Sequence, residues 1–424
     1  MRPNAHLTAA VTAAAAACFF TETAAGSVVA KAEVSMSKWM ASSIMSRRQG
    51  IMTGKGGTSE LLQAGITQKA FLALVAQYPD AADVEAYIEE SAASVVPYVS
   101  NASHAALSYP MDRLSNGMAL LQLSSPSPSS PANSTAQAAF ARAADALRRS
   151  IDLNRRNPEG GLWYFTYPQW SYLDGMYSLA PFYTLYTATK TAAEAAADPA
   201  AAELALADMY YQVDLLWQRT RDAASGLLAH GYDASRTAVW ADPATGASPH
   251  VWDRALGWYL MALVDTVELL DAASADAAGA AGAVYSGLLA QKFQQLARAV
   301  LDAADPASGA WWQVMDRPGA DGNYIESSGS AMFAYALLKG ARLGYLDCPD
   351  AAVDVATRAH DYLTRTFVVH ESESVLGYNG TVSVCSLNST ASYEYYVTRP
   401  IEYNNVLGSN AYILASLEVE RLRQ

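Results

Sequence analysis

Two aspartates stand where a carboxyl group could do acid–base work. Asp174 lies in Trp170-Ser-Tyr-Leu-Asp174-Gly-Met-Tyr177, at the start of a strongly apolar stretch that reads as a helix. A helix N-terminus lowers a carboxyl pKa, and a wall of aromatic rings raises it by desolvation. If desolvation wins, the group suits general-acid chemistry. The plainer reading is a first-turn Asp that caps the helix. Asp112, in Met111-Asp112-Arg-Leu-Ser-Asn116-Gly117, offers the same two readings.

A third cluster follows in His230-Gly-Tyr-Asp233 and His250-Val-Trp252-Asp-Arg254-Ala-Leu-Gly-Trp258. Arg254 presents a planar fork suited to a carboxylate, and Trp258 lies one turn along the same helix face. The alternative is a buried arginine satisfied by Asp233 or Asp253, with the tryptophans in the core. Aromatic residues crowd two Gly-containing segments, GGLWYFTYPQWSYLDG and SGAWWQVMDRPG. Rings and glycines at element ends suggest a pocket wall, and sugars stack on such faces.

Other chemistries lack their residues. The six histidines are scattered with no metal-ligand spacing, and no GxSxG, P-loop or strand-linked GxGxxG is present. Serine-hydrolase, NTPase and dinucleotide-binding readings therefore lack support. The net charge of -13 carries no basic run, which speaks against nucleic acid as a partner. No segment after the N-terminal region is a credible membrane span.

These groups need a scaffold, and the Ala-rich composition favours helix. Twelve segments have helical patterning: 36–47, 68–78, 82–96, 113–123, 136–150, 172–190, 200–218, 252–270, 283–302, 330–343, 351–364 and 409–423. The clearest is 252–270, with apolar residues at 252, 256, 259, 260, 263, 267 and 270. Helices in even number with short connections make a bundle, a solenoid or a closed toroid of hairpins. Asn379-Gly380, between Val375-Leu376 and Val382–Val384, predicts a tight β-hairpin.

The N-terminal region reads as an export signal. Arg2 and His6 precede an uncharged run from Leu7 to Phe20, followed by small residues that allow cleavage near position 25 or 32. One catalytic domain would then occupy 33–424. Sequons at Asn101, Asn133, Asn379 and Asn388 agree with a secreted glycoprotein. Cys18 falls in the signal, so Cys348 and Cys385 are expected to form one disulfide, or else to remain buried thiols.

Five ordered stretches together resemble the unsaturated glycuronyl hydrolases, chiefly the unsaturated rhamnogalacturonyl hydrolases of glycoside hydrolase family 105, relatives of family 88. They are Met111–Gly117, Gly160-Gly-Leu-Trp163 through Met176, His230–Asp233 with Trp240, Trp252–Trp258 with Met261-Ala-Leu, and Gly309–Val314 through Tyr324-Ile-Glu326-Ser-Ser-Gly-Ser330 and Lys339-Gly340. Gly408-Ser-Asn-Ala411 to Glu418 looks like the family's closing helix. The resemblance implies an (α/α)6 toroid with no metal or organic cofactor, here with a β-hairpin embellishment near the C-terminus. It implies an enzyme acting on lyase-generated oligosaccharides that end in a 4,5-unsaturated uronic acid; many relatives are intracellular, whereas this chain reads as secreted, and a monomer or weak homo-oligomer is expected. By motif position Asp174 matches the general acid/base and Asp112 the second acid. His230, Trp252, Arg254, Trp258, Trp163 and Tyr164 match substrate-binding positions. Many relatives carry His where this chain has Tyr164, and the segment 368–400 looks like an addition. An inverting glycosidase for a saturated sugar and a non-catalytic carbohydrate-binding protein are the competing readings.

Overall fold

The six most deeply buried helices have small residues where their neighbours come close. In Ser327–Gly340 every residue is buried, and so is every residue of Val406–Val419. A Cβ on Gly257 would stand 2.9 Å from the Met332 side chain, and one on Gly117 would strike Phe182. Helices that tight on all sides cannot face solvent, so they form an inner layer.

The computed structural model describes residues 35–57, 59–125, 134–194, 199–273 and 279–423. The expected export signal and the Asn133 sequon lie outside these residues. Asn101, Asn379 and Asn388 are exposed. The chain runs through α1 (Met36–Ser46), α2 (Glu60–Gln77), α3 (Ala82–Val99), α4 (Ala102–Ser108), a 3-10 turn (Met111–Asn116), α5 (Gly117–Leu123) and α6 (Ser134–Asp152). It continues through β1 (Trp170–Tyr172), α7 (Asp174–Glu194), α8 (Pro199–Thr220), β2 (Gly231–Asp233), α9 (Asp253–Ala273) and α10 (Gly279–Asp302). Last come α11 (Ser327–Arg342), α12 (Pro349–Phe367), β3 (Val368–His370), β4 (Leu376–Tyr378), α13 (Tyr393–Val397) and α14 (Val406–Arg421).

Within Ser35–Gln424, α2, α5 with its preceding turn, α7, α9, α11 and α14 each pack on the next, and α14 closes on α2. Outside this ring lie α3 on α2, α6 on α5, α8 on α7, α10 on α9, α12 on α11 and α1 on α14. The fold is thus the expected (α/α)6 toroid. Outer helices are one-sided: α12 buries Ala352, Ala356, Ala359, His360 and Leu363, a single stripe at helical spacing. No described helix is long and apolar enough to cross a membrane.

Two expectations need correction. The C-terminal hairpin is present, with β3 antiparallel to β4, but its turn spans 371–375. Asn379-Gly380 instead follows β4, where Gly380 takes φ +75° and leads toward the pocket. The dipeptide supplies the left-handed turn its sequence promised, at a strand exit and not between strands. Cys348 and Cys385 are both free thiols. Cys348 precedes the first turn of the outer helix α12, whereas Cys385 is buried in the pocket wall and takes a weak hydrogen bond from Gln313 Nε2 at 3.7 Å.

Candidate active site

The inner helices α2, α7, α9 and α14 begin at one pocket, lined near those ends by Leu62, Asp174, Arg254 and Leu407. Helix N-termini carry partial positive charge, so this end of the ring favours an anion. Strand pairing sets the central residues. β1 and β2 run antiparallel with Tyr172 opposite Gly231, and Leu173 N–H donates to the His230 carbonyl at 3.0 Å. One residue past that register, Asp174 starts α7 and meets the His230 ring. His230 Nε2 stands 3.3 Å from Asp174 Oδ2. Both atoms are buried and neither has a hydrogen-bond partner.

Asp112 lies in the same pocket and is buried. Its Oδ1 accepts a 2.7 Å hydrogen bond from the Tyr164 hydroxyl. Desolvation is the largest influence on its pKa, followed by the lowering effect of the Tyr164 bond and the raising effect of the Asp174 charge. Burial and the second carboxylate win, and the Asp112 pKa rises to about 7. Tyr164 stacks on Tyr172 with ring centres 4.4 Å apart, and Tyr167 lies nearly parallel to Tyr172 at 6.1 Å. The three tyrosines form a rigid wall on which Tyr164 holds its angle toward Asp112.

Trp252, Trp258 and Arg254 also line the pocket. Trp258 packs against Tyr177 at 4.3 Å, and Trp252 Nε1 donates to Gln313. The expected carboxylate fork of Arg254 is differently employed. Its guanidinium donates to the carbonyls of Val382 (2.6 Å) and Ser383 (2.7 Å) and to Ser328 Oγ (3.2 Å). It lies 3.8 Å from Glu326 and over the Trp252 ring. Neither Asp233 nor Asp253 takes a guanidinium hydrogen bond: Asp233 is consumed by its own loop, through Ser235, Thr237 and Ala238. Two further expectations shift. His230 is fully buried behind Asp174 and is not a pocket wall. Trp163 also lies outside the wall, packed under Arg155 with the guanidinium 5.4 Å from its ring.

Three contributions escaped the sequence. Val384, Cys385 and Ser386, from the segment 368–400, form one side of the pocket. Glu326, fully buried as the N-cap of α11, accepts from Gly329 N–H, Ser328 Oγ and Val382 N–H. Glu326 and Arg254 therefore grip the same residue, Val382, one at its N–H and the other at its carbonyl, and aim the segment that becomes the wall. Beside them burial and the Glu326 charge push the Asp253 carboxyl well above the usual range, so Asp253 stays protonated. Tyr396 is the third, its hydroxyl 2.8 Å from His230 Nδ1. Glu326 had a signal, since it sits in one of the quoted motifs; Tyr396, in a run of tyrosines, had none.

A double ring of helices that presents two carboxyl groups in an aromatic pocket defines a carbohydrate-active enzyme of the helical-toroid class. Residues 39–423 match the family model of Glycosyl Hydrolase Family 88, and the chain belongs to that family. It is a glycoside hydrolase of the unsaturated-uronyl type. A family 105 glycoside hydrolase from C. acetobutylicum superposes with TM-score 0.74 and 30% identity, covering 91% of this chain and 99% of that one. Protein Atu3128 of Agrobacterium fabrum is 37% identical over 205 residues, 46% of this chain and 82% of its own. The unsaturated glucuronyl hydrolase of Bacillus sp. GL1 shares the fold, with TM-score 0.56 and 14% identity over 91% of this chain and 95% of that one.

Proposed function

We propose that this enzyme removes an unsaturated galacturonyl group from the non-reducing end of rhamnogalacturonan fragments left by a lyase. The observation that carries the reading is the Asp112–Asp174 pair, one member of which keeps a proton near neutral pH. Hydration of an enol ether needs a carboxylic acid to protonate carbon and a carboxylate to accept the proton of water. Asp174 is the general acid and base. The step begins with a proton on the Asp174 carboxyl, which lines the pocket. That proton goes to C4 as water attacks C5, and the water's proton returns to Asp174. The C5 hemiketal opens by breaking its bond to the ring oxygen, and C1 then collapses to an aldehyde and expels the remaining sugar as an alcohol. One water is consumed. Asp112, uncharged for much of its time near neutral pH, spares the anionic substrate a second negative charge.

The preference for galacturonyl over glucuronyl rests on the likeness to family 105. Export is proposed too, supported by the N-terminal composition and by exposed sequons at Asn101, Asn379 and Asn388. The test follows the ultraviolet absorbance of the conjugated C4=C5 bond. Wild-type enzyme should extinguish it with lyase-treated rhamnogalacturonan, and Asp174→Asn should leave it unchanged. Undiminished absorbance with galacturonyl and glucuronyl substrates alike would sink the reading.

A further inference from the structure

We infer that Tyr396 is a positioning residue: by fixing the tautomer of His230, it confines the reactive proton of Asp174 to the carboxyl oxygen that faces the substrate. The inference rests on the proposed role of Asp174.

The chain of groups is short and buried. The Tyr396 hydroxyl lies 2.8 Å from His230 Nδ1, and His230 Nε2 lies 3.3 Å from Asp174 Oδ2. The His230 ring is enclosed by Tyr172, Trp252 and Tyr396, with ring centres 5.3, 4.9 and 6.0 Å away. Tyr396 is itself fully buried, and burial keeps its hydroxyl protonated. A buried O–H left without an acceptor is costly, and the imidazole nitrogen is the partner within reach. When the hydroxyl donates, Nδ1 must offer its lone pair, so the ring proton sits on Nε2.

Nε2–H then lies 3.3 Å from Asp174 Oδ2, a buried oxygen that accepts no hydrogen bond. An oxygen beside the positive end of an N–H is the less favourable place for a proton. When Asp174 takes up a proton, it is therefore held on Oδ1, the oxygen left to the pocket. The opposite tautomer would present a lone pair from Nε2. It would repel the ionised carboxylate, or draw the acid proton to Oδ2 and away from C4. Tyr396 belongs to α13, in the segment 368–400, and does not itself line the pocket; it acts through His230.

Nitrogen-15 NMR of histidine-labelled enzyme without substrate reads the tautomer directly. His230 should show a protonated Nε2 and an unprotonated Nδ1, and Tyr396→Phe should shift the ring toward the other form. A protonated Nδ1 in the wild type overturns the inference, whatever the substrate proves to be. On the best uronide substrate, Tyr396→Phe should lower kcat by roughly 10- to 100-fold with KM within about twofold. In a His230→Gln background, where a side-chain amide N–H can face Asp174 whichever residue stands at 396, the same substitution should cost nothing further. Equal losses in both backgrounds would mark Tyr396 as merely structural and overturn the inference. If no uronide is turned over, the proposed reaction fails, and the NMR result alone still decides the tautomer.

Discussion

At the scale of single residues, the site is two carboxyl groups with different neighbours. Asp112 is pushed from 3.8 to about 7, while Asp174 is backed by a histidine ring. The stability consequence has a definite sign. A folded-state pKa above the unfolded value means that the native state binds more protons, so stability falls as pH rises from about 4 to about 7. Asp112→Asn removes this loss. The variant should melt higher than wild type at pH 8, by up to about 4 kcal/mol in unfolding free energy, and show little gain at pH 4. The same variant should be nearly inactive. A pH-independent stability difference would show that Asp112 does not hold its proton. Tyr164→Phe deletes the bond that lowers the Asp112 pKa. The alkaline limb of the pH–rate profile should then move to higher pH, and a shift to lower pH would contradict the geometry.

At the scale of elements, the wall of the pocket is carried by a segment that belongs to no regular helix or strand. Residues 382–386 stay in place because the starts of α9 and α11 supply Arg254 and Glu326 to the carbonyl and the N–H of one residue, Val382. Arg254→Ala strips Glu326 of its buried partner, so a loss of about 3–5 kcal/mol in stability is expected alongside a raised KM. Differential scanning calorimetry and initial rates on the same preparation test it. An intact melting temperature with only a raised KM would restore Arg254 as a simple substrate fork. Asp253 behaves oppositely. It is already uncharged, so Asp253→Asn should change stability by no more than about 1 kcal/mol, despite complete burial. A large loss would show that Asp253 is ionised.

At the scale of the whole molecule, the charge and the chemistry oppose each other. A net charge of -13 repels an anionic oligosaccharide at long range. The compensation is local: inner-helix N-termini surround the pocket, and Asp112, with its pKa raised to about 7, is about half protonated near pH 7. Raising ionic strength from about 10 to about 150 mM shortens the screening length from roughly 30 to 8 Å. kcat/KM for the charged substrate should therefore rise over that range while kcat stays constant. A steep fall with salt would mean that an unrecognised cationic surface steers the substrate.

Much of this was legible in the chain itself. The twelve helical segments come from apolar spacing and Ala content, which act within a few turns and leave a local trace. Asp174, Asp112 and the Trp252–Trp258 cluster stood out because acids and rings gathered near helix starts are unusual. The partnerships did not stand out. Arg254 reads as an anion fork until the 382–383 carbonyls are seen against it, 128 and 129 positions along the chain. Tyr396 joins His230 across 166 positions, in a segment whose composition signals nothing. Which hydrogen bonds a side chain makes, and which carboxyl keeps its proton, depend on burial and on neighbours brought in by ring closure. Those quantities exist only after α14 has met α2. The sequence by itself determined the helices and the acids they carry; the tertiary structure decided how deeply each acid is buried and what holds it in place.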